Sequence, residues 1–350
     1  MAISRQDTVL KCIVEEFIST AQPVGSNTLI KKYNLPFSSA TIRNDMAELE
    51  QKGYLEKTHT SSGRVPSAKG YSYYADHIKN SVSTLDVDAK FKKEFQMILS
   101  KKSQSVEDVL NKSCKILSEV TSMAAVVLGP KADTEHLLFV NSTSLADKTQ
   151  MSVYLMTDKG FTDSKTFIVH SPEEAASVSK CIEIINNRLT GSSIGSLKDK
   201  VEAMKPILAE TIGHSSEIVV DALAEAFLNF AKQRAKTYGS KNLVELPEYE
   251  QDSKQLQAII DLINDPNKIA ELVDENTQEG ISLNVSTDDS SNVAIVSQDC
   301  NISNIDTKFA IIGPQRMDYK KIMSMLHYMV DKLNEYFQQE EIDDKKKEGE

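Results

Sequence analysis

Apolar residues near the start of the chain recur every three or four positions, which predicts an amphipathic helix. The polar residues in front of it, from Ser4 to Asp7, are typical of a helix N-terminus, because a serine can cap the first turn and a carboxylate lies three residues later. Pro23 and Gly25 then interrupt the pattern. The apolar stripe consists of Val9, Leu10, Ile13, Val14, Phe17 and Ile18.

Two further helices are predicted after this break. Ser26 is a suitable N-cap for a short second helix, and Ser38 or Ser39 is a suitable N-cap for a third, which runs to about Lys52. Gly53 stands where a helix commonly ends with a left-handed residue.

A short hairpin is predicted after the third helix. Residues 54–57 have strand character, residues 58–64 are polar and contain a glycine, and Val65 and Pro66 lead out of the tip. Three helices followed by a two-stranded hairpin form a winged helix-turn-helix, in which the third helix enters the major groove of DNA. We therefore expect residues 1–80 to form a DNA-binding domain.

The pattern after residue 80 alternates between helical and strand-like stretches. Residues 81–122 predict a helical linker region, and residues 339–350 are charged without apolar periodicity, which favours disorder. Strand-like runs on either side of a long helical stretch could share one sheet, so the fold class is α+β. The strand-like runs are 123–128, 137–141, 151–156, 165–169, 281–285, 293–297 and 309–312, and the helical runs are 172–189, 197–238, 252–275 and 318–337.

Charge is distributed unevenly along the chain. The 350 residues carry a formal net charge of −11, which alone argues against a nucleic-acid partner. Residues 1–80 contain 10 Lys and Arg against 8 Asp and Glu, a balance of +2, so the other 270 residues carry −13. A weakly basic end on an acidic body is compatible with DNA binding confined to that end.

The third predicted helix has a chemically distinct outer face. At 100° per residue, Ile42, Met46 and Leu49 fall within one sector and should face the core. The opposite side presents Ala40, Arg43, Asn44, Ala47 and Gln51. Arginine can donate two hydrogen bonds to guanine and asparagine can pair with adenine, while small alanines let the helix approach the bases. An isolated helix of this kind would more often be a solvated surface, but the neighbouring helices and hairpin favour a recognition helix.

Phosphate contacts are expected at two further places. Ser39 and Thr41 lie at the start of the third helix, where hydroxyls, amides and the helix dipole favour an anion. Arg64 follows Gly63 at the hairpin tip and could contact a phosphate or a narrow minor groove. An ordinary turn arginine is an equal alternative for Arg64.

A seam of apolar residues occurs in the long helical stretch. Val220, Leu223, Phe227 and Phe230 are spaced by three and four, as in an intermolecular helix pair. The same stripe could instead pack within its own domain, and the spacing leaves both interpretations open.

The sequence contains no motif for catalysis, metal binding or membrane insertion. There is no GxSxG, P-loop, GxGxxG or HExxH pattern, so we expect no enzymatic activity and no cofactor. No apolar run approaches the length of a membrane span and no secretory leader is apparent, so we expect a cytoplasmic protein. The scattered cysteines favour neither a disulfide framework nor a zinc site; they are Cys12, Cys114, Cys181 and Cys300.

The chain resembles the HrcA family of bacterial heat-inducible transcription repressors. The resemblance is highly specific in the first 75 residues, and it extends over most of the chain. Residues 194–250 resemble the family in the layout of the segment more than in the individual residues. The matching segments are 23–26 (PVGS), 39–46 (SATIRNDM), 60–66 (TSSGRVP), 69–71 (KGY), 73–74 (YY) and 313–317 (GPQRM), with Tyr319.

This resemblance implies a dimer that binds an inverted-repeat operator, called CIRCE, upstream of chaperone operons of the groE and dnaK type. It implies a GAF-like domain in two halves, residues 123–193 and 251–338, interrupted by an inserted helical dimerisation domain at residues 194–250. It also implies that the GroEL chaperonin maintains activity. DNA contact carries over to five residues only: Ser39, Thr41, Arg43, Asn44 and Arg64.

A one-component repressor is the alternative function. In it, a small metabolite bound by the GAF-like domain would shift DNA affinity, and Arg316 could lie near the pocket. A structural salt bridge is the favoured interpretation of Arg316.

Overall fold

The computed structural model divides the chain into two compact units. The first contains Met1–Val127, Thr237–Cys300 and Lys308–Glu350, and the second contains Leu128–Lys236 and Asn301–Thr307. The residues that the structure describes are 4–57, 63–79, 82–84, 87–101, 105–129, 134–145, 150–212, 221, 224, 227, 235–246, 249, 253–274, 280–286, 292–302 and 305–348.

The three expected helices open the first unit. They are α1 (Arg5–Thr20), α2 (Ser26–Tyr33) and α3 (Ser39–Gln51). Ser4 caps α1 in a complete capping box with Asp7, as predicted. Their shared core is apolar, and its fully buried members include Val9, Ile13, Val14, Leu29 and Ile42.

The residues at the ends of α2 and α3 agree with the predicted caps in part. Ser38 caps α3 by accepting a hydrogen bond from the Thr41 amide. The prediction that Ser26 caps α2 is wrong: Gly25 occupies the N-cap without a side-chain bond, and Ser26 is the first helical residue. Gly53 adopts a φ of +77°, as expected for the residue that follows α3.

A two-stranded antiparallel hairpin follows, formed by β1 (Leu55–Lys57) and β2 (Arg64–Pro66). Helix α4 (Ala68–Ile78) then packs beside the hairpin, and Gly70 allows its close approach. A Cβ on Gly70 would lie 2.2 Å from the carbonyl oxygen of Tyr54, so no larger residue fits without backbone movement. We call α1–α4 with β1 and β2 the winged module.

The remainder of the first unit is built on a five-stranded sheet. We call this sheet and the helices that pack on it the body. The strand order is β7-β3-β10-β9-β8. The strands are β3 (Ala124–Leu128), β7 (Ala235–Tyr238), β8 (Ile281–Val285), β9 (Val293–Ile302) and β10 (Ile305–Pro314). The helices are α5 (Ala89–Leu99), α6 (Val106–Thr121), α10 (Ser240–Val244), α11 (Ser253–Ile263), α12 (Pro266–Asp274) and α13 (Tyr319–Glu348).

The second unit has its own sheet and core. Strands β4 (Leu137–Ser144), β5 (Gln150–Thr157) and β6 (Thr162–Ile168) form an antiparallel sheet in that order. Three helices belong to the same unit: α7 (Pro172–Leu189), α8 (Leu197–Ala203) and α9 (Lys205–Ile212). Along β5, buried and half-buried residues alternate, as in a sheet with one covered face.

This division corrects the expected domain boundaries. Residues 123–193 do not form half of a single sheet with residues 251–338, because only β3 joins the later strands. The inserted unit begins at Leu128, and it contains strands as well as helices. The physical reason is the pattern of burial. Every residue of β3 is buried, so both faces of this strand must be covered, whereas buried and half-buried residues alternate along β5.

Most of the described residues of 81–122 are helical as expected, since they form α5 and α6, and Phe91 and Phe95 of α5 are fully buried. Two smaller expectations differ from the structure. Strand β7 lies within a stretch predicted to be helical throughout. Helix α13 extends to Glu348, where we expected a disordered tail from residue 339.

Candidate nucleic-acid interface

The third helix, α3, presents the face that its periodicity predicts. Its inner residues Ile42, Met46 and Leu49 are buried, with exposed fractions of 0% to 3%. Its outer residues are all exposed; they are Ala40, Arg43, Asn44, Ala47 and Gln51. Two side chains able to recognise base edges therefore share an open face with two alanines that allow close approach.

A charged pair fixes the inner side of α3, and sequence reasoning missed it. Asp45 is 1% exposed and accepts hydrogen bonds from the guanidinium of Arg5, at 2.7 Å from Nε and 2.9 Å from Nη2. This hydrogen bond raises the pKa of Arg5, so the guanidinium stays charged. The Arg5 side chain also lies over the ring of Phe37. The first residue of α1 thus sets the position of α3.

A hydroxyl network joins α2 to the start of α3. The Oγ atoms of Ser26 and Ser39 are 2.9 Å apart, and the Ser39 hydroxyl also donates to Asn27 Oδ1 at 3.2 Å. Arg43 Nε donates to Ser26 Oγ at 3.3 Å. This network restrains the stem of Arg43 while its side chain remains exposed. It also explains why Ser26 does not cap its own helix.

The first turn of α3 carries the second group of expected contacts. Thr41 is half-buried, and its hydroxyl lies 2.8 Å from Ser38 Oγ. Ser39 is likewise half-buried through its contacts with α2. Both predicted residues therefore lie at the helix N-terminus, where free amides and the helix dipole attract anions.

Arg64 lies at the base of the hairpin and has a carboxylate partner. Its Nε and Nη2 atoms are each 2.7 Å from Glu50 Oε2, and its side chain is 15% exposed. Its backbone pairs with Val24 in an isolated bridge. Gly63 packs closely on Pro23, where a Cβ would lie 2.8 Å from the proline side chain. The hairpin is therefore attached to α3 and to the segment before α2. Residues 58–62 at its tip lie outside the described residues.

Helix α4 is bonded to α1 through a second polar pair. Tyr73 donates a hydrogen bond of 2.7 Å to Asp7 Oδ1, which raises the pKa of Tyr73 to about 12. Partial burial works to raise the pKa of Asp7, but hydrogen bonds from Tyr73 and Ser4 leave this pKa below its ordinary value. No local pattern indicates this pair, because its members lie 66 positions apart.

The predicted dimer seam is described only in part. Val220, Leu223 and Phe230 lie outside the described residues. Phe227 is 1% exposed and belongs to the core of the second unit, with Leu208 and Ala224. Phe227 thus packs within its own chain, which is the alternative interpretation that the spacing leaves open.

The turn 313–317 meets the winged module. Arg316 Nη1 donates a hydrogen bond of 2.8 Å to the carbonyl oxygen of Ile18 in α1. A cavity of about 360 Å³ lies elsewhere, in the second unit between β4 and α7, where Asn141, Ser179 and Glu183 are among its lining residues. Arg316 is not one of them.

Among the residues that the structure describes, no helix is both long and apolar enough to cross a membrane. The same residues contain no group of three histidine, cysteine, aspartate or glutamate side chains placed to hold a metal ion.

Comparison with known proteins gives a consistent family. The model of the HrcA protein C terminal domain matches residues 107–323. The Heat-inducible transcription repressor HrcA of Bacillus pumilus (strain SAFR-032) is 33% identical over 338 residues, covering 94% of this chain and 96% of that protein. The protein of the same name from Lysinibacillus sphaericus is also 33% identical, covering 93% and 95%.

One solved structure supports the fold. A crystal structure at 2.2 Å resolution of a protein described as hypothetical superposes with a TM-score of 0.59 and 22% identity. It covers 96% of this chain and 98% of that one. At this identity the likeness concerns the fold, a helical N-terminal part followed by sheet-containing parts.

Proposed function

Because this chain belongs to the HrcA family of heat-inducible transcription repressors, we propose that it silences chaperone operons as a homodimer on an inverted-repeat operator. The chain is a transcription repressor and not an enzyme. The operator we propose is of the CIRCE type, upstream of groE- and dnaK-type operons. We place this repressor in the cytoplasm, where the operator DNA would be located.

The exposed outer face of α3 is the observation that carries this proposal. Arg43 and Asn44 project from a helix whose opposite side is held by Asp45 and the apolar core. We assign guanine recognition to Arg43 and adenine recognition to Asn44, since their side chains match those base edges. The hydrogen bond that Arg43 Nε donates to Ser26 Oγ limits the conformations of the arginine that must be fixed on binding, which favours affinity.

Phosphate contacts complete the proposed interface. Ser39 and Thr41 offer hydroxyls beside the N-terminal amides of α3, and Arg64 offers a cation at the wing. In the free protein Glu50 neutralises Arg64, so DNA binding would exchange a carboxylate partner for a phosphate.

The proposed dimer follows from the symmetry of the operator. An inverted repeat presents two equivalent half-sites, and a two-fold protein places one recognition helix on each. Exposed large apolar side chains on the second unit support an interface there, and Leu138 and Ile168 are 50% and 70% exposed. The seam at Val220, Leu223 and Phe230 stays a prediction.

Dependence on the GroEL chaperonin is supported by the chain topology. The first unit is assembled from three separate stretches, because the second unit interrupts it. Contacts between residues distant in sequence form slowly and leave apolar surface exposed during folding. Heat-damaged proteins would compete for the chaperonin, active repressor would decrease, and the operons would be transcribed.

Refolding and transcription together test this proposal. Denatured chain would be diluted with or without GroEL and ATP, and run-off transcription from an operator-bearing template would be measured. We expect the chaperonin to increase repression and excess nonnative competitor to abolish that gain. A scrambled-operator template is the control. Full repression without chaperonin would contradict the heat-sensing part, and equal transcription from both templates would contradict operator binding.

A further inference from the structure

We propose that Arg316 is a positioning residue that fixes the winged module on the body and so determines the half-site spacing that the dimer accepts. The inference rests on the proposed function, because spacing has meaning only for a dimer on an inverted repeat. Arg316 itself is far along the chain from the recognition helix and is not assigned a DNA contact.

The bond from Arg316 to Ile18 satisfies one of the carbonyl groups at the end of α1. The last four carbonyl groups of a helix have no partner within the helix. In α1 the amide of Ala21 satisfies Phe17, and Arg316 Nη1 satisfies Ile18 at 2.8 Å. The last turn of α1 has no basic residue of its own, so the guanidinium also supplies the cation that a helix C-terminus favours.

The turn that carries Arg316 is held from several sides. The Gln315 amide donates to the carbonyl of Asn292, and Gln315 Nε2 donates to the carbonyl of Ser286 at 2.8 Å. The hydroxyl of Tyr319 donates to the Gln315 carbonyl at 2.6 Å. Arg316 therefore extends from a backbone that is fixed to the body, and its bond to α1 transmits that position.

A buried aromatic cluster forms the second attachment. Tyr71 and Tyr74 of α4 contact the ring of Tyr319, with centroids 5.9 and 6.4 Å apart, and all three side chains are at most 5% exposed. Tyr74 also donates a long hydrogen bond of 3.4 Å to Glu15 in α1. Ring contacts provide area but tolerate rotation, whereas the bond from Arg316 has a direction. Helix α4 also packs against β8. The arginine adds to these contacts a bond of defined direction, and for this reason we assign the orientation of the module to it.

The orientation of the winged module matters because a change in the spacing between two half-sites also rotates one half-site around the DNA axis relative to the other. Ten to 10.5 base pairs make one turn, so each inserted pair rotates one half-site by roughly 35° relative to the other. Two modules fixed on one dimer can engage both half-sites at one spacing only, while loosely attached modules can adapt. A fixed attachment therefore favours one operator spacing over others.

The first experiment measures orientation without DNA. Cysteines introduced at the exposed positions Lys31 in α2 and Lys268 in α12 would carry spin labels, since all four native thiols are buried. Labelled chains would be diluted with unlabelled chain. We expect one narrow distance distribution in the parent and a broadened one in Arg316→Met. The matched control is Lys93→Met, which removes an exposed cation from α5 and should leave the distribution narrow.

The second experiment measures spacing preference. Operators with the spacer changed by two base pairs in either direction would be compared with the natural spacing. We expect the parent to lose about tenfold or more in affinity on the altered operators, and Arg316→Met to lose less than about threefold. Arg316→Lys, which keeps a donor and the charge, should recover part of the preference.

The outcomes separate the two proposals. Unchanged distributions and unchanged spacing preference in Arg316→Met would overturn the positioning role. If that variant does not fold, Arg316→Lys decides the matter by the same two measurements. The proposal expects a distribution broader than that of the parent and a partly relaxed spacing preference, and fully parent-like results would overturn it. A broadened distribution in a protein whose parent binds no inverted repeat would uphold the attachment and reject the proposed function.

Discussion

The guanidinium of Arg5 donates two hydrogen bonds to the carboxylate of Asp45, one of 2.7 Å and one of 2.9 Å. The pair joins the first residue of α1 to the middle of α3, on the side of α3 that faces away from its exposed residues. A buried carboxylate in this position is stable only while it is paired. The recognition face is therefore held by a contact on the opposite side of the helix.

Replacing Asp45 should loosen α3 without touching its outer face. We expect Asp45→Asn to lower the free energy of unfolding by about 1–2 kcal/mol, a modest value because half of the Arg5 side chain is exposed to solvent. Urea unfolding measures the effect. Glu94→Gln removes one partner of the exposed pair with Lys90 and should change little. Equal stability of both variants would show that the pair is unimportant.

Arg43 should determine base preference. If it donates two hydrogen bonds to one guanine, Arg43→Ala should weaken operator binding by roughly 1–3 kcal/mol and relax discrimination at one base position. Fluorescence anisotropy against a panel of single-base operator variants measures this, with Lys93→Ala as the control. Equal weakening on specific and random DNA would instead identify a phosphate contact.

Substitutions in the pair of Arg64 and Glu50 should show whether Arg64 contacts phosphate or holds the wing on α3. If Arg64 contacts phosphate, Glu50→Gln releases the guanidinium and removes a negative charge, so binding should strengthen on all DNA while Arg64→Ala weakens it. Titrations at several salt concentrations measure both. A loss in Glu50→Gln as large as that in Arg64→Ala would mean that the arginine acts by holding the wing on α3.

Sequence periodicity predicted the local elements well and the long-range partners poorly. The faces of α3 follow from Ile42, Met46 and Leu49 alone, because a helix repeats every 3.6 residues. The contact from Arg5 to Asp45 spans 40 positions, and no local pattern singles out this arginine and this aspartate as partners. Ser26 illustrates competition: its residue type suits an N-cap, yet its hydroxyl contacts Ser39 and Arg43.

The division into two units has a signal in the sequence, in the difference between two of its strand-like runs. Residues 124–128 form a continuous apolar run, typical of a strand covered on both faces, whereas residues 150–157 alternate. These two kinds of strand belong to different sheets in the structure. Strand β7 carries no such signal, since its four residues Ala235–Tyr238 suit a helix as well.

The buried thiols predict an alkaline limit to stability. Burial raises the pKa of Cys12 and Cys181 to about 11 and that of Cys300 to about 12, from an ordinary value of 9.0. Each folded thiol keeps its proton more strongly than the unfolded thiol does. This contribution to stability is complete below pH 9 and should be lost as the pH rises through 11 to 12.

Thiol titration checks that expectation. At pH 8 the folded chain should react with a disulfide reagent far more slowly than the urea-unfolded chain, in which all four cysteines react. Unfolding midpoints at pH 8 and pH 10.5 give the stability change. Rapid reaction of the folded chain would contradict the burial of these side chains.

Substitutions in the second unit should distinguish a residue of the proposed dimer interface from a residue of the core. Ile168→Asp changes a side chain that is 70% exposed, so we expect a folded chain that is monomeric by sedimentation. Phe227→Asp places a charge in the core of that unit and should unfold it. The exposed Lys165→Asp serves as the charge control. A dimeric Ile168→Asp variant would remove this face from the proposed interface.

Binding to an operator with intact or altered half-sites tests the central claim most directly. Purified chain would be titrated at one fixed salt concentration against an inverted repeat from a chaperone operon, the same fragment with one half-site scrambled, and one with both scrambled. We expect one dimer on the intact repeat, about 10³-fold or more tighter than on the doubly scrambled fragment, with a large loss on the half-scrambled one. Equal affinity for all three fragments would contradict a dimeric, sequence-specific repressor.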